Sequence, residues 1–243
     1  MPDIFFFITI FFGIGAAGTF AGSRKHTPTV RRERWLKFFV HLVLVYAVVS
    51  VLVFWPDWFR WVALLIVLGG AVELVKVQRE GLAAGQHPGM LFHLVTFVMY
   101  AGMGWGFWRM AEAWDSKALV ALFILVFTFD GFSQVFGQMF GRRKLFPVVS
   151  PGKTVEGLLG GLLMTQLTAW FYCRPELSNW SFIAAGLFVS AGALLGDWLA
   201  SYYKRKHGVK DFSALIPGHG GILDRFDSWM VAGALGWVVG LFY

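Results

Sequence analysis

Between two long apolar segments lies the stretch Ser201 to Ser228, SYYKRKHGVKDFSALIPGHGGILDRFDS, dense in cations, carboxylates and glycines. Lys204, Arg205, Lys206, Lys210 and Arg225 are suited to neutralise phosphate oxygens. Asp211, Asp224 and Asp227 offer hard oxygen ligands to a divalent cation. Gly218, Gly220 and Gly221 around His219 let backbone approach a bulky polyanion. Together these residue types point to chemistry on a nucleotide or phospholipid phosphate. A solvated basic loop that only fixes topology accounts for the cations, but not for the density of acids and glycines.

A second phosphate-suited element precedes it. Residues 141–157, GRRKLFPVVSPGKTVEG, hold Lys153 as a point charge, with Ser150 and Thr154 as hydroxyl donors. A helix is expected from Val155 to Tyr172, with Pro151 suited to an early-turn position, so this loop can present phosphate to a helix N-terminus. Glu156 either completes a cap or helps organise cations. The G-K-T tripeptide is not a Walker A loop, because the glycine required five residues before Gly152 is Pro147.

The order of residues in both elements resembles that of the phosphatidate cytidylyltransferases, also called CDP-diacylglycerol synthases. The resemblance rests on S-x-x-K-R, K-D-F-S and I-P-G-H-G-G-x-x-D-R-x-D-S, from Ser201 to Ser228, and on S-P-G-K-T-x-E-G from Ser150 to Gly157. It extends to Gly196, Asp197 and Ser201 in G-D-x-x-x-S and covers roughly the C-terminal half, residues 130–228. One departure stands out. The family commonly has an N-D-x-x-A-Y-like element followed by G-x-x-F-G-K. Here Phe129-Asp130 and Ser133-Gln134 stand instead, although Gly137, Phe140 and Gly141 fit.

These elements need a membrane scaffold. The 243-residue chain is 57% hydrophobic and 14% charged, more apolar than a soluble domain needs. The expected fold is all-α: a polytopic integral membrane protein with about eight transmembrane helices, near 4–22, 36–55, 58–75, 90–108, 118–140, 155–172, 181–200 and 229–243, seven or nine also fitting. The first is expected to be a retained span, since it lacks a basic leader region. Residues 1–243 read as a single membrane domain, with 130–228 as its family-like catalytic region and 81–89 as the clear flexible connection.

Charge orients the spans. Most of the 21 Lys and Arg residues fall in one alternating set of loops; the other set has only Arg60, Arg109, Lys117 and Arg174. The basic set, which includes both phosphate-suited elements, is therefore expected at the cytoplasmic face of a bacterial inner membrane, with both termini outside. Because the net charge of +7 follows this topology, it is not read as a nucleic-acid footprint. The single Cys173 has no partner for an intrachain disulfide.

Glu73, Asp130, Glu156 and Asp197 lie within or at the ends of apolar segments, where a carboxylate faces protein or a polar cavity. Asp197 either joins a metal site or pairs with Lys204 or Arg205 one or two turns on. Asp130, Ser133, Gln134 and Gly137 share a helix face suited to close packing or a polar cavity. Asp130 is catalysis-linked or structural. Glu73 is expected to form an ordinary helix-end pair with Lys76. His219 has no partner at metal-ligand spacing and reads as a turn residue contacting substrate.

The resemblance implies that the phosphate of phosphatidic acid attacks the α-phosphorus of CTP, giving CDP-diacylglycerol and pyrophosphate. It assigns metal binding to Asp197 and Asp224, with Asp211 and Asp227 assisting; the expected ion is Mg2+, with room for a second cation. Expected catalytic residues are Asp197, Asp224, Asp227, Lys210 and Arg225. Expected substrate contacts are Ser150, Lys153, Thr154, Ser201, Lys204, Arg205, His219 and Gly220. The expected partners are CTP, phosphatidic acid or a related lipid, the membrane and a second copy in a homodimer. Two alternatives stay open: a CTP-dependent transferase acting on another lipid acceptor, and a non-enzymatic membrane transporter or scaffold.

Overall fold

The computed structural model describes residues 3–23, 27–173, 181–216 and 220–240. Its helices are α1 (Asp3–Ser23), α2 (Pro28–Phe54), α3 (Pro56–Ala83), α4 (Met90–Ala113), α5 (Ser116–Phe140), α6 (Val155–Tyr172), α7 (Ser181–Lys206) and α8 (Leu223–Val239). A short antiparallel hairpin, β1 (Lys144–Phe146) and β2 (Ser150–Thr154), joins α5 to α6. Among the described residues, five helices, α2, α3, α4, α5 and α7, are long and apolar enough to cross a membrane. The apolar stretch of α1, Ile4–Phe20, is shorter. At 1.5 Å per residue the 17 residues of α8 reach only about 26 Å, against a hydrocarbon core of about 30 Å. The fold is thus that of a helical membrane protein; of the eight spans expected, five have helices that qualify by length and composition among the described residues.

Helix boundaries follow local chemistry. Pro28 and Pro56 open α2 and α3 at first-turn positions where a missing N–H costs nothing. Asp115 caps α5, its carboxylate accepting from Ala118 N at 2.8 Å. Gly240 ends α8 in the left-handed region, φ +63°. Two expectations change here. The connection at 81–89 is partly helical, because α3 runs on to Ala83, and Pro151 lies in β2, before the helix rather than inside its first turn.

Large apolar side chains such as Phe6, Phe39, Leu65, Val98 and Leu163 face outward, as a lipid-facing surface requires. The interior is built on α8, which packs against α7, α4 and α5. Its Trp229 is 2% exposed and is surrounded by Phe59, Phe107, Phe123 and Phe226, with ring centroids 4.7–6.0 Å away. Small residues let α7 and α8 touch. A Cβ on Gly192 would stand 2.9 Å from Ala232 Cα, and one on Gly196 2.5 Å from Asp227 O. That contact at Gly196 brings Asp197, the next residue on α7, near Asp227 of α8.

Candidate active site

The two phosphate-suited elements meet at one end of the bundle. Lys153, at the end of the hairpin, places Nζ 2.8 Å from Asp197 Oδ2 on α7. This is an ion pair of a half-buried ammonium and a half-buried carboxylate. Burial alone would depress the Lys153 pKa, but Asp197, Asp130 and Asp227 outweigh it and hold the ammonium above its ordinary value. Lys153 therefore stays charged. Asp130 on α5, Asp197 on α7 and Asp227 on α8 act on one another electrostatically, with Ser228 hydrogen-bonded to Asp130 and exposed Arg225 acting on it from the rim. The carboxylate whose role was open in the sequence thus faces the site.

Helix packing explains why Asp130 reaches this point. A Cβ on Gly161 would collide with Ser133 Oγ and stand 2.8 Å from Phe129 O, so α6 lies directly against α5. Thr154, 5% exposed, caps α6, its Oγ1 accepting from Gly157 N at 3.1 Å. Glu156 turns back toward the end of α5 and accepts from Arg142 N at 2.9 Å and Arg143 N at 3.2 Å. It serves as a clasp for the hairpin.

Asp224, one residue into α8, is held differently. Its Oδ1 accepts from Lys204 Nζ at 2.5 Å, and its Oδ2 from Phe212 N and Gly221 N, each at 2.8 Å. Lys204 also stands 5.0 Å above the Phe212 ring. The expected alternative pairing of Asp197 with Lys204 or Arg205 is therefore replaced: Lys204 belongs to Asp224, and Arg205 donates to Val149 O and Val209 O, tying the hairpin to the loop after α7. Gly220 sits at φ +80°, where a side chain would be strained and a Cβ would crowd Asp224 Oδ2 at 2.6 Å.

The remaining expected residues divide. Ser201 is buried on α7, Ser150 is half-buried in the hairpin, and Lys210 and Asp211 are exposed on the loop. His219 lies outside the described residues. Among the described residues, no group of three or more His, Cys, Asp or Glu side chains is clustered tightly enough to hold a metal unaided. The donor set nevertheless fits Mg2+, which takes one or two carboxylates and completes its shell with water and substrate phosphate. Asp197, with Asp227 and Asp130 beside it, is such a set.

Sequence reasoning missed Glu73. It does not pair with Lys76, which instead reaches Glu80 at 3.7 Å. Its buried carboxylate accepts from Ser213 Oγ at 2.7 Å, Ile222 N at 2.9 Å and Leu223 N at 2.8 Å. The available signal was a carboxylate within an apolar segment; its partners lie too far along the chain for local spacing to reveal. Also missed was the ring pair of His93 on α4 and His207 after α7, with centroids 5.3 Å apart.

Comparison with known proteins bears on the family. The model of a family described as the cytidylyltransferase family matches residues 4–242. A Staphylococcus aureus (strain COL) protein named phosphatidate cytidylyltransferase is 39% identical over 136 residues, covering 55% of this chain and 52% of that protein. Namesakes from Staphylococcus haemolyticus (strain JCSC1435) and Staphylococcus epidermidis (strain ATCC 12228 / FDA PCI 1200) are 38% and 36% identical over the same shares. The chain thus spans about half the length of the curated relatives it matches.

Proposed function

This chain belongs to the cytidylyltransferase family, and from that premise we propose that it transfers the cytidylyl group of CTP to phosphatidic acid. A non-bridging oxygen of the lipid phosphate attacks the α-phosphorus of CTP. One P–O bond forms there, the bond to the β-phosphate bridging oxygen breaks, and pyrophosphate leaves with that electron pair. The products are CDP-diacylglycerol and pyrophosphate. A phosphate monoester is already a nucleophile at neutral pH, so no strong base is needed.

The observation that carries this reading is the contact between Lys153 and Asp197 at 2.8 Å. It joins the two phosphate-suited elements into one site of mixed charge. The chain's own task is to bring two polyanions together and align them. Lys153, kept charged by its carboxylate neighbours, meets one phosphate. Exposed Lys210 and Arg225 meet the triphosphate from the solvent side. The Thr154 hydroxyl and the α6 N-terminus behind it offer donors to a phosphate oxygen. Asp197 and Asp227 are the best-placed holders of Mg2+, with Asp130 beside them and Asp224 joining only when Lys204 leaves it for a phosphate. When bound, Mg2+ supplies charge neutralisation to the two substrates and to the leaving pyrophosphate.

Localisation follows from the same reading. The loop residues 84–89, 141–154, 207–216 and 220–222 meet at one end, through Arg205 to Val149 and Gly208 against Gln86. With their cations they fit the cytoplasmic face of a bacterial inner membrane, where CTP is available. The test is turnover by purified protein with CTP, phosphatidic acid and Mg2+, both products being identified by mass. Metal-dependent CDP-diacylglycerol supports the assignment. A folded preparation that makes pyrophosphate only with another lipid acceptor would move the assignment to that acceptor, and no CTP turnover at all would overturn it.

A further inference from the structure

We infer that Glu73 is a positioning residue for the reaction, a carboxylate on α3 that caps the N-terminus of α8 from outside and closes the loop before it. Helix N-termini leave their first backbone N–H groups without intrahelical partners, and a carboxylate from the preceding residues normally serves them. In α8 the residue at the cap position is Ile222, which has no side-chain acceptor. Glu73 fills that role across the fold, taking Ile222 N on Oε1 and Leu223 N on Oε2.

The same carboxylate holds the other limb of the loop. Ser213 Oγ donates to Oε1 at 2.7 Å, so residues on both sides of 217–219 are drawn to one side chain. Between the limbs Ile216 N donates to Gly220 O at 2.8 Å. The seat is shaped for this fit. A Cβ on Gly221 would collide with the Glu73 carboxylate, one on Gly69 would stand 2.6 Å from Ile222, and one on Gly70 2.7 Å from Leu223. Three consecutive residues, Gly221 to Leu223, thus rest on one face of α3. Among the described residues no Lys or Arg forms an ion pair with Glu73, so its donors come from the segment it orders, along with the dipole of α8.

The consequence reaches the chemistry. Asp224 follows Leu223 directly, and its Oδ2 depends on Gly221 N for one of two backbone donors. Glu73 touches no reacting atom. By fixing residues 221–223 it sets where Asp224, Arg225 and Asp227 stand at the start of α8. A helix outside the family-like catalytic region thereby controls the alignment of that region.

The test compares full-length wild type, Glu73→Gln and Glu73→Ala in detergent, with Glu80→Gln as a control in the exposed pair with Lys76. Two readouts are taken: amide hydrogen exchange at residues 213–224, and the Mg2+ concentration for half-maximal CTP turnover. The kinetic arm rests on the cytidylyltransferase reading; the exchange arm does not, so failure of one is distinguishable from failure of the other. Glu73→Gln is expected to remain monodisperse, to exchange Ile222 and Leu223 amides about tenfold faster, and to need about tenfold more Mg2+, the scale of one lost hydrogen bond to a charged acceptor. Glu80→Gln is expected to match wild type. Wild-type exchange at Ile222 and Leu223 in Glu73→Gln overturns the inference. So does activity that falls only in proportion to folded protein, with an unchanged Mg2+ requirement. If Glu73→Ala fails to fold, Glu73→Gln alone decides.

Discussion

Lys153 Nζ and Asp197 Oδ2 stand 2.8 Å apart, one at the end of a hairpin and the other on a helix that follows only after α6. Their contact depends on α6 packing between α5 and α7. If the pair works as a unit in handling phosphate and metal, its members are not independent. Lys153→Met and Asp197→Asn are each expected to lower kcat/KM by about 100-fold or more. The double variant is expected to be little worse than the poorer single. Simple multiplication of the two losses, measured by steady-state CTP turnover, would show that the residues act separately.

Asp224 and Lys204 present a different case, because both are buried and each is the other's charge partner. Removing one partner of a buried pair typically costs about 3–5 kcal/mol, since the other is left uncompensated. Asp224→Asn is expected to abolish turnover, to remain membrane-inserted, and to unfold at a lower temperature than wild type. Lys204→Met is expected to be destabilised less, as Asp224 keeps Phe212 N and Gly221 N. Thermal unfolding followed by size-exclusion chromatography ranks the two. Wild-type-like turnover by Asp224→Asn would remove this residue from the chemistry.

What could be read without the structure was chemistry whose residues lie close in sequence. Lys204 in the last turn of α7, Asp211 and Gly220 on the loop and Asp224 at the start of α8 lie close in sequence, so their residue types announce a phosphate or metal site before any fold is known. Helix positions were likewise visible, because runs of apolar residues persist over whole spans. Partnerships across helices were not. Glu73 reads locally as a mate for Lys76 three residues on, yet its donors are Ser213, Ile222 and Leu223. Asp130 could be placed on a polar face, but only the packing of α5 against α6 and α8 shows that this face meets Asp197 and Asp227. The hairpin at 144–154 was hidden for another reason: its strands are too short for a period-two pattern.

Gly196 should be intolerant of even one methyl group. A Cβ there would stand 2.5 Å from Asp227 O and 2.9 Å from Ser228 Cα, both in the α8 helix. Backbone cannot rotate away as a side chain can, so Gly196→Ala is expected to push α7 from α8, at about 1–3 kcal/mol. Asp197 would part from Asp227, and turnover is expected to fall at least tenfold. Gly152→Ala, at a position with open space around it, is the control and should leave thermal stability unchanged. Equal tolerance at the two sites would mean that the α7–α8 contact is not what holds the carboxylates together.

The final expectation concerns acid. His207 is 1% exposed, its Nδ1 is 2.9 Å from Tyr203 O, and its Nε2 has no hydrogen-bond partner among the described residues. His93 from α4 and Tyr203 from α7 face it, and Gly81 of α3 packs against the ring. Burial, reinforced by His93 and opposed by the Tyr203 carbonyl, lowers its pKa below the usual histidine value of about 6.5. The unfolded chain therefore binds the proton more readily than the folded one between those two values. Stability from this group is fully present above about pH 6.5 and is lost as pH falls through the folded value. Thermal unfolding scanned downward from pH 8 is expected to show this acid-side decline in wild type and a flatter profile in His207→Leu. The same slope in both proteins would assign the decline to other groups, and His207 would then be a packing residue between α3, α4 and α7.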